Sequence, residues 1–237
     1  MRRRLIILLL CLLPALTLPA KGLPVSVEAT VKLSSAYLWR GDAVCGFHAA
    51  PDFCLNIGNF TVEHYDFLAL DGSYKEIDWD FQYHLGDFTF HLADYFFMQE
   101  VSPVKENYFN WRRGETTHVD EVALVYDSSV IPLTAKWFTF FWGDWLPDGG
   151  PLSFSSYAEL TAYHDFTGYG RASLVVGASV LPGSYTGYTR SFMPIHVELN
   201  YGRTVEAGKV KFPLGVSFVV NPFDGRCHAA ASAGITF

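Results

Sequence analysis

Lys75-Glu76-Ile77-Asp78-Trp79-Asp80-Phe81-Gln82-Tyr83-His84-Leu85 decides the fold. Ile77, Trp79, Phe81, Tyr83 and Leu85 alternate with acids, an amide and an imidazole. A period of two is that of a β-strand, whose successive side chains point to opposite faces. The stretch has the ~9–11 residues that a tilted membrane strand needs. It requires one greasy surface and one wet one. A soluble sandwich turns the greasy side to its core; a barrel in lipid turns it outward.

The same alternation recurs along the chain. It predicts twelve strands, at 25–40, 50–57, 60–71, 74–85, 88–98, 118–126, 132–142, 153–166, 170–180, 192–203, 209–221 and 226–237. Every second connection is short, as at Gly58-Asn59 and Gly86-Asp87, and the others are mostly long. Membrane barrels have short turns at one end and long loops at the other. The expectation is an all-β, antiparallel up-and-down transmembrane β-barrel of about twelve strands, with ten the next count. It forms a single domain over 21–237.

Composition agrees. The chain is 50% hydrophobic and 16% aromatic, yet beyond residue 20 no run reaches the ~20 apolar residues of a membrane helix. That leaves a greasy secreted sandwich or a barrel. Arg2 to Arg4 followed by the apolar run Leu5–Leu13 and the small residue Ala20 reads as a signal peptide, 1–20, removed on export. Removal takes Lys+Arg from 17 to 14 against 24 Asp+Glu, a net charge of −10. This disfavours nucleic acid as a partner.

The alternation also assigns faces. In the first strand Val25, Val27, Ala29, Val31, Leu33, Tyr37 and Trp39 are expected to face lipid. Glu28, Lys32 and Arg40 then line the lumen. Further lumen-lining candidates are Glu76, Asp78 and Asp80, then Glu121, Lys136 and Glu159, then Arg171, Glu198 and Lys211. Trp39, Trp137, Trp142 and Trp145 fall near strand tops, where Trp favours the headgroup level. Acids outnumber bases in this lining, which would favour cations in a channel.

Hidden chemistry has several candidates. His118 with Asp120 and Glu121 could imitate a catalytic pair, but a solvated strand-top cluster is the plainer reading. His84 and His91 flank a tight turn without the further ligands a metal needs. Asp78 and Asp80 sit ~7 Å apart on one face, and lumen lining is a simpler role for them than glycoside chemistry. In the third long loop Tyr108, Trp111, Arg112 and Arg113 could grip a sugar or a lipopolysaccharide phosphate. Cys45 and Cys54 flank the first loop and are a possible disulfide, leaving Cys227 odd. No catalytic residue, metal or cofactor is expected.

The stretch from Cys227 to Phe237 reads as a finished strand ending on an aromatic. It resembles the signal that bacterial outer-membrane β-barrels show to their assembly machinery, which makes that machinery an expected partner through Phe237. Ser34-Ser35-Ala36-Tyr37-Leu38-Trp39-Arg40-Gly41, followed by Pro51, resembles the opening of the Gcw family of exported bacterial proteins. The chain is similar, more closely, to a set of outer-membrane proteins of Bacteroidetes. These carry counterparts of Ala93-Asp94-Tyr95-Phe96-Phe97, of Asn107-Tyr108-Phe109-Asn110 with Thr117-His118, of Ser155-Ser156-Tyr157-Ala158-Glu159 and of Asn221-Pro222. The usual Ser-Asp before the Tyr of the first motif is Ser35-Ala36 here. The resemblance implies a fold and an outer-membrane location after export, and no activity.

The expected function is a non-catalytic barrel in contact with outer-membrane lipid and lipopolysaccharide, acting as a narrow porin-like channel or a structural surface protein. The alternatives are a membrane-embedded lipid or lipid-A hydrolase and a secreted glycan-binding sandwich.

Overall fold

The computed structural model describes residues 22–98 and 107–237; the expected signal peptide lies outside them. Fourteen strands form among the described residues. They are β1 (Val25–Ser34), β2 (Tyr37–Trp39), β3 (Asp42–Cys45), β4 (His48–Ile57), β5 (Phe60–Ala69), β6 (Lys75–Leu85) and β7 (Phe88–Met98). Then come β8 (His118–Asp127), β9 (Leu133–Trp142), β10 (Ser156–Phe166), β11 (Gly170–Ser179), β12 (Met193–Ala207), β13 (Val210–Asn221) and β14 (Arg226–Thr236).

Twelve of these close into one antiparallel barrel, each strand beside its sequence neighbour, with β1 sealed against β14. Closure pairs every edge, which a membrane demands because lipid offers no hydrogen bonds. β2 and β3 stay outside the ladder as a two-stranded ribbon inserted between β1 and β4.

The barrel is inside out. On its outer wall Val27 is 55% exposed, Leu160 54% and Phe218 50%, while Asp78 inside is 0% exposed. Large contiguous apolar exposure is foreign to a soluble monomer. Ile77, Trp79 and Phe81 sit on the outer wall, not in a core. This overturns the soluble-sandwich alternative.

Three tight turns, Gly58-Asn59, Gly86-Asp87 and Gly208-Lys209, gather at one end. Each begins on a glycine with φ of 59–65°, the sign a two-residue hairpin needs at its first central residue. Long connections gather at the other end.

Two strand limits differ from the alternation. The first strand stops at Ser34 rather than 40, because Ser34 Oγ turns back to the Ala36 carbonyl (2.9 Å) and the chain leaves the wall. β12 runs on to Ala207, pairing Glu206 with Lys211, where a loop from 204 was expected.

Candidate functional site

The ribbon enters the long-loop end of the lumen. Its tip is Arg40-Gly41, with φ of 47° and 96°. A Cβ on Gly41 would lie 1.9 Å from the Ile195 carbonyl oxygen, so only glycine lets the tip press against the wall at this point. Ile195 sits where the β11–β12 register shifts, and it is buried rather than lipid-facing.

Arg40 is the centre of the plug. Nη1 and Nη2 donate to Glu121 Oε2 and Oε1 at 2.7 and 2.6 Å. Nη1 also donates to Tyr185 Oη. The guanidinium lies 4.2 Å from the Phe138 ring centroid, 4.6 Å from Trp39 and 4.9 Å from Tyr157. Aromatic faces and a bidentate carboxylate together replace the water that Arg40 has lost. Tyr37 stacks on Phe67 at 3.8 Å, and Trp39 stacks on Phe140 at 6.2 Å. Tyr37 and Trp39 therefore face inward, correcting the lipid-facing expectation. Once the chain leaves the wall, strand alternation no longer assigns their faces.

Tyr185 reaches the plug from a single 3-10 turn, Ser184–Thr186. That turn is fastened by Ser155 Oγ, which accepts the Ser184 N–H at 2.7 Å. Ser155 N–H in turn donates to Asp144 Oδ2 at 2.8 Å.

Below the ribbon the lumen is polar. Glu76, Asp78 and Asp80 all point in along β6. Tyr74 Oη donates to Glu76 Oε2 at 2.6 Å. Asp80 Oδ2 meets His91 Nδ1 and Gln82 Nε2, each at 2.9 Å. Neither oxygen of Asp78 has a hydrogen-bond partner. Across the lumen Lys136 pairs with Glu159 at 2.8 Å. His196 sits between Tyr157 Oη (2.6 Å) and Glu198 (2.8 Å). Nearer the short-turn end Lys211 pairs with Glu28 and Arg171 with Asp165, each at 2.7 Å. Lys32 lines a cavity with Asp52 and Glu63.

Two cavities of about 330 and 300 Å³ meet at Tyr65 and Asp80. A third, of about 620 Å³, opens at the long-loop end and is walled by Trp39, Phe140, Trp145, Tyr185, Tyr188 and Phe223. Trp39 and Tyr185 of the plug form its floor.

His118 lies on the opposite face of the wall. Ordinary alternation along β8 turns Glu121 inward and leaves His118 and Asp120 outward, its register with β7 unbroken. His118 Nδ1 is 2.6 Å from Asp94 Oδ1 and Nε2 is 2.7 Å from the Tyr108 carbonyl. Its hydrogen-bonding partner is thus Asp94, and Glu121 is committed to Arg40. This corrects the His118–Asp120–Glu121 grouping, which joined residues from opposite faces of one strand. Both ring nitrogens are engaged, and among the described residues no serine hydroxyl hydrogen-bonds a histidine ring.

The third loop folds onto this outer surface. Trp111 stacks on His118 at 3.9 Å, and Tyr108 Oη donates to Asp94 Oδ2 at 2.9 Å. Burial, then the Asp94 carboxylate, push the Tyr108 phenol above its ordinary pKa. Arg113 donates to the Gly149 and Gly150 carbonyls and lies 4.2 Å from the Trp145 ring. Arg112 is exposed beside Glu115. Tyr108, Trp111 and Arg113 are therefore spent on holding the loop.

His84 contacts Thr61 and Thr89 hydroxyls, at 3.1 and 3.0 Å, while His91 serves Asp80. The two do not share a site. No group of three His, Cys, Asp or Glu positioned to hold a metal occurs among the described residues. Cys45, Cys54 and Cys227 are free thiols. Cys45 closes the ribbon at the barrel mouth, whereas Cys54 lies six residues below the top of β4, roughly 20 Å down at the strand rise. That separation rules out the pairing expected from their flanking positions.

Asp52, Glu63, Asp94, Tyr157 and Tyr185 were missed from the sequence. β5 shows why. Glu63 and Tyr65 face in while His64 and Asp66 face out, so polarity marks neither side.

Geometry and polarity define an inside-out membrane-type β-barrel with a plugged lumen. No protein-family model and no curated protein matches the sequence. Among solved structures the chain is similar to an outer-membrane channel from Pseudomonas putida F1, at 11% identity and TM-score 0.49, covering 93% of this chain and 98% of that one. It is similar to Salmonella typhi OmpF at 10% identity and TM-score 0.39, covering 91% and 98%. A monoaromatic hydrocarbon channel, CymD, aligns at 10% identity and TM-score 0.38, covering 90% and 87%.

Proposed function

We propose that the protein is a narrow, non-catalytic outer-membrane channel whose lumen the β2–β3 ribbon holds shut. One observation carries the reading: a polar lumen with cavities along it is interrupted by a segment that belongs to no barrel strand. A structural barrel could fill that level from its wall. Here Arg40 arrives on a separate hairpin, and the ladder closes without it. Export by the segment 1–20, contact with lipopolysaccharide, assembly through Phe237 and kinship with Gcw-like and Bacteroidetes outer-membrane proteins belong to the same proposal. The motifs quoted above support that kinship.

A reversible lock tests it. Trp39 and Phe140 pack at 6.2 Å between ribbon and wall. In a background with Cys45, Cys54 and Cys227 replaced by serine, Trp39→Cys with Phe140→Cys should carry current in planar bilayers when reduced and lose it when oxidised. Equal current in both states would remove the ribbon as the closure.

A further inference from the structure

We propose that the solute passed by this lumen is a small cation, guided by the carboxylate row Glu76, Asp78 and Asp80 of β6. This rests on the channel reading and names its cargo. Asp78 is 0% exposed, and both its carboxylate oxygens lack a hydrogen-bond partner. One oxygen of Asp80 and one of Asp52 are also buried and unpartnered. A buried carboxylate oxygen without donors is costly, so an uncompensated set of them on one side of a lumen fits groups that await a counterion.

Resident side chains do not supply it. Arg40 is held by Glu121, Lys136 by Glu159, Arg171 by Asp165 and Lys211 by Glu28. Among the described lumen residues that leaves Lys32 and the His91 contact to Asp80 against Asp52, Glu63, Glu76, Asp78 and Asp80. In a confined, poorly hydrated passage such an excess attracts cations and repels anions.

The row also spans the closure. Glu76 pairs in register with Phe67, on which Tyr37 of the ribbon stacks, and Asp80 lines both inner cavities. Withdrawing the ribbon takes Arg40 away from Glu121. Opening thus removes the cation of the constriction and adds another carboxylate to the path.

Ser34 and His48 face each other in register, so the ribbon can be cut out by replacing residues 36–46 with Asn-Gly. Reversal potentials of this barrel in a KCl gradient read its selectivity. The row predicts potassium over chloride, with the permeability ratio falling about tenfold in Asp78→Asn/Asp80→Asn, the scale on which a charged cleft concentrates counterions. Anion preference, or an unchanged ratio in that variant, would overturn the cation reading. A second arm uses terbium(III), with Tyr65 and Tyr95 beside Asp78 as antennae. If the cut barrel passes no current, the channel reading falls. Terbium emission lost in Asp78→Asn/Asp80→Asn would then still support a cation-holding row, and equal emission would overturn that too. Heat-modifiable gel mobility confirms that each variant is folded.

Discussion

Arg40 and Glu121, 81 residues apart in sequence, meet in a two-pronged ion pair inside the barrel. One comes from a hairpin tip and the other from the wall strand β8. Side-chain exposure is 7% and 2%, so each charge depends on the other.

Removing one partner strands the other. Arg40→Ala should destabilise the barrel by about 3–5 kcal/mol, the usual consequence of an orphaned buried charge. Arg40→Met with Glu121→Leu should cost much less, since no charge is then left buried. Urea unfolding in detergent, read by tryptophan fluorescence, measures both. Equal losses in the single and double variants would show that the pair's charges do not matter.

Gly41 admits no side chain where its Cβ would meet the Ile195 oxygen. Gly41→Val should push the ribbon tip off β12, raise current noise in planar bilayers and leave the barrel ladder intact by circular dichroism. A quiet, unchanged trace would mean that the tip has room the geometry denies it.

Trp111 covers His118 and with Tyr108 pins the third loop to the outer wall. Trp111→Ala should free that loop and speed trypsin cleavage after Arg112 and Arg113 about tenfold. That corresponds to roughly 1.4 kcal/mol of lost docking when cleavage tracks the open population. Cleavage no faster than in the wild type would place the anchoring elsewhere.

The cysteines give a check on topology. All three should react with a maleimide in denaturant without reductant. On intact cells Cys227, exposed at the long-loop rim beside Arg226, should label with a membrane-impermeant reagent while Cys54 stays protected. Labelling of Cys54 alone would invert the barrel.

The barrel itself was legible because β6 carries one unbroken apolar face from Ile77 to Leu85, and register then follows from a period of two. The plug was not. Tyr37, Trp39 and Arg40 continue the alternation of β1, and a pattern of two cannot say whether a strand stays in the wall. Ser34-Ser35 followed by Arg40-Gly41 was the available signal: a break, then a hairpin tip. The outer-wall cluster hid for a different reason. Asp94 and His118 lie 24 residues apart and come together only through the β7–β8 pairing, which sequence spacing does not show.

Closure by the ribbon is tested most directly by comparing single-channel conductance of the wild-type barrel with that of the barrel in which Asn-Gly replaces 36–46. The wild type should be closed for most of the record with brief small openings, and the cut barrel should conduct steadily at a higher level. Two folded barrels with the same conductance would show that the ribbon and Arg40 do not close the lumen.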